Sequence, residues 1–151
     1  MGKGRPVEPI GKLLQQAIRL AVNVHNNQED KNGQPYILHP LRVMNRFWTN
    51  GQLSAEMVVA VLHDVVEDCA VPLDNIRALF GPEIGAAIDA ITRRDGESYE
   101  KYIERCALNP VARRVKIADI ADNVLPERYV EGLKLPKRYG KAVQFLQAAE
   151  G

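Results

Sequence analysis

Apolar residues recur along this chain at helical spacing. Ile10, Leu13, Leu14, Ala17, Ile18, Ala21 and Val24 form one stripe, which predicts a helix from Pro9 to about Asn26-Asn27. His25 falls beside that stripe and reads as a core histidine bonded to backbone rather than a metal ligand. A polar loop, 28–35, follows with a turn at Asn32-Gly33. Pro40 suits the first turn of a second helix, which places His39 at the N-cap; the helix runs through Leu41, Val43, Met44 and Phe47 to Trp48 and stops at Asn50-Gly51. Ser54 caps a third helix, apolar from Met57 to Leu62, that continues into His63, Asp64, Glu67 and Asp68.

Val71-Pro72 then breaks the chain. A short helix from Leu73 to Phe80 turns Ile76, Leu79 and Phe80 inward, Gly81 stops it, and Pro82-Glu83 starts another with Ile84, Ala87, Ile88 and Ile91 on one face. The charged loop 92–97 leads to a helix capped by Ser98. Asn109-Pro110 opens the next, Val111 to Val124, which Pro126 ends. A last amphipathic helix, about Pro136 to Ala149, buries Tyr139, Ala142, Val143 and Leu146. No segment alternates with period 2, so the pattern predicts an all-α fold. The expected architecture is a single-domain bundle of seven or eight helices over residues 9–151, with residues 1–8 as a flexible tail.

Composition narrows the function classes. With 46% hydrophobic and 26% charged residues among 151, the chain is an ordinary globular domain with a full core. A net charge of +1 offers no field for nucleic acid or an anionic membrane. The longest apolar run, Met57–Leu62, is far short of the ~20 residues that span a bilayer. Arg93-Arg94 and Arg113-Arg114 are local basic pairs that read as solvated helix ends. Cys69 and Cys106 form no CxxC pattern, and a reducing cytoplasm is the simplest compartment.

Chemistry concentrates in the run Ala60–Asp68. His63 and Glu67 are four apart, as are Asp64 and Asp68, so on a continuous helix each pair stacks on one face. Two metal ligands beside two proton-handling carboxylates is one reading; a merely solvated helix end is the other. Acid pairs at a helix C-terminus oppose its dipole, so something must compensate them. Further on, Asp119 lies among Ala118, Ile120, Ala121 and Val124 and is expected out of water, in line with Lys116 and Asn123. Together His39, His63, Asp64 and Asp119 make a mixed nitrogen–oxygen site for one divalent ion such as Mn²⁺, Fe²⁺, Zn²⁺ or Co²⁺. Such an ion lowers the pKa of its water and polarises a phosphoryl oxygen. Glu67 or Asp68 could pass the proton of an attacking water to the leaving group, and Asn123 could orient water or a phosphate oxygen. Lys31 and Lys116 are the nearest phosphate partners by position.

The arrangement His39…His63-Asp64…Asp119 resembles the HD-superfamily metal-dependent phosphohydrolases. More closely, three segments are similar to the hydrolase domain of RelA/SpoT-type enzymes. They are Gln28-x-x-Lys31-x-Gly33-x-Pro35-Tyr36-Ile37-x-His39-Pro40, Leu62-His63-Asp64-Val65-Val66-Glu67-Asp68, and Lys116-Ile117-Ala118-Asp119-x-x-x-Asn123. In size the chain is similar to the stand-alone small alarmone hydrolases. The likeness spans roughly residues 10–146. It implies an all-helical HD fold with one Mn²⁺ held by His39, His63, Asp64 and Asp119. It also implies that Glu67 and Asp68 handle the water, that Asn123 orients water or substrate, and that Lys31 lies near a guanine base. The implied reaction is removal of the 3′-pyrophosphate from ppGpp or pppGpp, by hydrolysis only. One departure stands out: the family usually has Arg just before that Lys, against the base, and here the residue is Asp30, after Glu29. Asn32 likewise stands where Ser is common. This motivates a second reading, an HD phosphohydrolase for another nucleotide or phosphoester. The charged loop Arg93–Glu97 motivates a third, a non-catalytic nucleotide-binding helical module. The oligomeric state stays open.

Overall fold

The computed structural model describes residues 8–125 and 137–151, and among them it forms eight helices and no strand. In chain order these are α1 (Ile10–Val24), α2 (Leu38–Asn45), α3 (Ala55–Leu62), α4 (Val65–Cys69), α5 (Leu73–Ile91), α6 (Tyr99–Ala107), α7 (Pro110–Asn123) and α8 (Arg138–Glu150). The expected tail up to residue 7, and the expected helix boundaries at Pro126 and Pro136, lie outside the described residues.

Helix α3 is the axis of the bundle. Met57 is 4% exposed, and Val58, Val59, Ala60, Val61 and Leu62 are all 0% exposed. A helix apolar on every side must be covered on every side, and α1, α2, α5 and α7 pack around it. Its C-terminal end therefore emerges in the middle of the molecule, and the residues that follow, His63 and Asp64, are delivered there.

The expected continuous helix through Asp68 is not what forms. α3 stops at Leu62, His63 and Asp64 make a turn (φ −61°, ψ −25° and φ −104°, ψ −3°), and α4 restarts at Val65. The cause is local: His63 Nδ1 lies 2.6 Å from the Ala60 carbonyl, a side chain competing for the acceptor that would carry the helix onward. The histidine–aspartate pair and the Glu67–Asp68 pair thus belong to two segments meeting at a corner.

Other elements shift in smaller ways. His39 is the second residue of α2 and not its N-cap, which is Ile37. The entry is wound tightly by Leu38 N–H to Pro35 O (3.2 Å) and His39 N–H to Tyr36 O (3.0 Å), and Pro40 still falls in the first turn, where an N–H is not needed. α2 ends at Asn45, three residues before Trp48; the chain between tightens into i→i−3 bonds and leaves Trp48 57% exposed. α5 is two helical pieces joined at Gly81 (φ 88°, ψ 172°), a conformation suited to glycine, followed by Pro82. The covered stripe of its first piece is the line Ile76–Phe80; Leu79 points outward at 55% exposure, contrary to expectation. His25 is buried, but its Nδ1 meets the Gln28 side chain (2.8 Å) and the Cys69 thiol (3.3 Å) and not backbone.

The expected caps of the later helices form. Ser98 accepts from Lys101 N–H (3.2 Å), and Asn109 accepts from Ala112 N–H (3.0 Å) with Pro110 at the first helical position. α8 buries Ala142 and Leu146 against α6 and α7, with Tyr139 and Val143 half-buried. Replacing Leu62 with Ala is expected to cost about 2–5 kcal/mol in urea unfolding. Replacing the outward Leu79 with Ala should change it by no more than about 0.5 kcal/mol.

Candidate metal centre

Three elements converge on one buried point. α2 carries His39, the α3–α4 corner carries His63 and Asp64, and α7 carries Asp119. The two Nε2 atoms of His39 and His63 face each other at 3.2 Å. Asp119 Oδ1 lies 2.9 Å from the first and 3.3 Å from the second. Asp64 Oδ2 lies 3.1 Å from His63 Nε2 and 3.7 Å from His39 Nε2, and the same oxygen accepts the Tyr36 hydroxyl at 2.5 Å. His39, His63 and Asp119 offer the tightly grouped ligand atoms, and all three are buried. Asp64 stands at the edge of that group.

The tautomers follow from the far side of each ring. His39 Nδ1 is 2.6 Å from Asp122 Oδ2, and Asp122 is 0% exposed. Burial works against the Asp122 charge, but hydrogen bonds from His39 and Arg42 outweigh it and hold the carboxyl well below the usual range. An ionised carboxylate can only accept, so His39 Nδ1 carries the proton. His63 Nδ1 faces a carbonyl, which also can only accept, so that nitrogen is protonated too. Both Nε2 lone pairs therefore point at each other and at Asp119. Lone pairs and carboxylate oxygens at 2.9–3.3 Å need a positive charge among them.

A proton is one such charge. Burial opposes it on His63, yet the Asp64 and Asp119 carboxylates prevail and raise the His63 pKa well above its ordinary value. A divalent ion answers the same need with all the oxygen and nitrogen donors at once, and the donor set fits one. The ligand carboxylates are themselves held. Lys116 Nζ lies 2.8 Å from Asp119 Oδ2, and Asn123 Nδ2 donates to Asp119 Oδ1 at 3.3 Å. Lys116, read from the sequence as a phosphate partner, thus commits its ammonium to Asp119.

Glu67 and Asp68 open to solvent on α4. Partial desolvation, then the Asp64 charge, raises the pKa of each above the ordinary carboxylate value. Lys31 stands exposed on the 28–35 loop. Its neighbour Asp30 does not project a bare carboxylate: Oδ1 accepts the N–H groups of Asn32 (2.8 Å) and Gln34 (3.0 Å) and shapes the loop as an Asx turn. The sequence assigned no role to Asp122, Arg42 or Tyr36. Arg42 binds Asp122 through Nε (2.9 Å) and Nη2 (3.2 Å). Asp122 had one signal, a second acid three residues after Asp119 among small apolar neighbours; nothing linked Arg42 to it across 80 positions.

Fold and cluster together define a helical protein built around a buried histidine–aspartate metal site. The family model for the HD domain matches residues 17–118, and the chain belongs to that family. It is 30% identical over 143 residues to the probable GTP pyrophosphokinase of Mycobacterium leprae, covering 89% of this chain and 18% of that protein. It is 30% identical over 119 residues to the guanosine-3′,5′-bis(diphosphate) 3′-pyrophosphohydrolase of Aquifex aeolicus, covering 74% and 17%. With the Vibrio cholerae protein of the latter name the identity is 32% over 116 residues, covering 76% and 16%. The chain therefore spans less than a fifth of the length of these curated relatives. A solved structure described as a metazoan ortholog of SpoT that hydrolyses ppGpp shares the fold, with a TM-score of 0.71 at 21% identity, covering 89% of this chain and 84% of that one.

Asp122→Asn removes the charge that orients His39 and is expected to weaken metal binding about 10–100-fold in a calorimetric titration. The ligand nitrogen of His63 must be unprotonated to bind, and the Asp64 and Asp119 carboxylates raise its pKa, so protons compete with the ion. Metal affinity should therefore fall as pH falls. Titrations in buffers of different ionisation enthalpy should report about one proton released per ion near pH 7.

Proposed function

We propose that this chain is a metal-dependent pyrophosphohydrolase that removes the 3′-diphosphate of ppGpp or pppGpp. The observation that carries the reading is the pair of Nε2 lone pairs and Asp119 closed on one point, with two solvent-facing acids of raised pKa one short helix away. The relatives named as ppGpp hydrolases supply the substrate class. His39, His63, Asp64 and Asp119 would hold one divalent ion, Mn²⁺ by this reading. When bound, that ion supplies Lewis acidity toward a phosphoryl oxygen and makes water a better nucleophile at neutral pH.

The protein's own groups do the rest. Glu67, or Asp68 beside it, takes a proton as water bonds to phosphorus. It returns the proton to the 3′ oxygen as the bond from that oxygen to phosphorus breaks. Asn123 orients water or a phosphate oxygen, Lys116 keeps Asp119 charged and in place, and Lys31 reaches the base. The natural ligand is then a small nucleotide rather than nucleic acid. No described helix is long and apolar enough to cross a membrane; a cytoplasmic setting is part of the proposal.

Incubation of Mn²⁺-loaded protein with ppGpp should yield GDP and pyrophosphate, resolved by anion-exchange chromatography. Glu67→Gln should bind the ion as before and lose about 10²–10⁴ in rate. Asp30, standing where the family's arginine contacts the base, favours one competing reading, the same chemistry on another phosphoester. Turnover of such a compound in preference to ppGpp would select it. Ligand binding with no turnover of any phosphoester would select a sensor module instead.

A further inference from the structure

Cys69 closes α4, and Ala70 (φ 55°) turns the chain away directly after it. On the element packed against it, His25 caps the C-terminus of α1 and Gln28 follows one turn later. The three side chains meet. His25 Nδ1 lies 2.8 Å from Gln28 Oε1 and 3.3 Å from the Cys69 sulfur, and that sulfur lies 3.9 Å from the same Gln28 oxygen. The imidazole is 3% exposed, and its Nε2 has no hydrogen-bond partner among the described residues, so the ring engages through Nδ1 alone. Cys69 is only half-buried, which leaves the cluster open to solvent on the sulfur side.

A nitrogen, a sulfur and an oxygen thus converge on one point. With their protons in place, Nδ1–H and S–H share the single Gln28 oxygen, and the thiol, a weak donor, gains little from it. A tetrahedral Zn²⁺ with ligand bonds of about 2.0–2.3 Å holds its donors about 3.3–3.7 Å apart, and the three separations here straddle that range. Burial, then the charges of Asp68 and Asp64, raises the Cys69 pKa above its ordinary value. Those two carboxylates oppose a bare thiolate and favour a cation that takes the place of its proton. Tyr36 divides the cluster from the histidine–aspartate centre: its ring lies 5.1 Å from that of His25 and 5.7 Å from that of His39, and its hydroxyl is spent on Asp64.

We propose that His25 Nδ1, Cys69 Sγ and Gln28 Oε1 form a second metal site, separate from the histidine–aspartate centre, for a thiophilic divalent ion of the Zn²⁺ or Co²⁺ class. Binding sends the thiol proton to solvent and moves the imidazole proton from Nδ1 to Nε2, and water completes the coordination. Thiolate and imidazole together select such ions over Mg²⁺ and Mn²⁺. The centre of His39, His63, Asp64 and Asp119 has no sulfur, so the two sites differ in kind. His25, which the apolar stripe of α1 presents as a core histidine, is on this assignment a ligand.

The test titrates metal-free protein with Co²⁺ and follows absorption. Wild type should develop the intense near-ultraviolet charge-transfer band of a thiolate bound to cobalt, which nitrogen and oxygen ligands do not give. Cys69→Ser should lose the band, and His25→Gln should need roughly tenfold or more Co²⁺ to reach it. Cys106→Ser, at the other thiol, and Asp64→Asn, at the other centre, should keep it. Wild type alone gives a second measurement. Zn²⁺ should slow alkylation of Cys69 by iodoacetamide roughly tenfold or more, read by peptide mass spectrometry, because the bound thiolate no longer attacks; Mg²⁺ should not. Absence of the band in wild type, its survival in Cys69→Ser, or an alkylation rate indifferent to Zn²⁺ would each overturn the site. None of these results touches the hydrolase reading, which the other centre carries.

Discussion

Two imidazole lone pairs and a carboxylate oxygen within about 3 Å of one another, out of water, cannot rest there without positive charge between them. Most of the polar architecture of this domain is arranged around that condition. Asp122 and the Ala60 carbonyl each take an Nδ1–H, so that both Nε2 atoms are aimed inward. Hydrogen bonds from His39 and then Arg42 keep Asp122 ionised, and the Lys116 charge does the same for Asp119. Each candidate ligand is thus held by a partner that is itself held.

The apolar frame explains why this happens at the centre of the molecule. A helix with no polar face has to be surrounded, and α3 is surrounded by four others. Its last residue delivers His63 directly into the packing, and His63 then breaks the helix that brought it by taking the Ala60 carbonyl. The corner that results separates two tasks. His63 and Asp64 turn inward towards His39 and Asp119, while Glu67 and Asp68, on the restarted α4, keep access to solvent and acquire raised pKa values from partial desolvation and from Asp64.

Charge is layered in the same sense. The cations closest to the centre lie against carboxylates, Lys116 on Asp119 and Arg42 on Asp122. Asp30, a carboxylate standing where the resembled family carries a base-facing arginine, is folded into the backbone of its own loop.

The all-helical fold, the order of its helices and the caps at Ser98 and Asn109 were legible in the sequence, because periodicity and capping are local properties carried by residues within a turn or two of each other. The motif residues His39, His63, Asp64 and Asp119 could be named for the same reason, each from its own segment. Only tertiary structure decided the rest. Whether Leu79 faces in or out depends on which neighbours cover α5. That Lys116 sets its ammonium 2.8 Å from Asp119 depends on rotamers settled by packing. The Arg42–Asp122–His39 chain joins residues some 80 positions apart and has no local signature. Spacing along a chain reports what a residue can do; only the packed neighbours determine which of those capacities it has left to use.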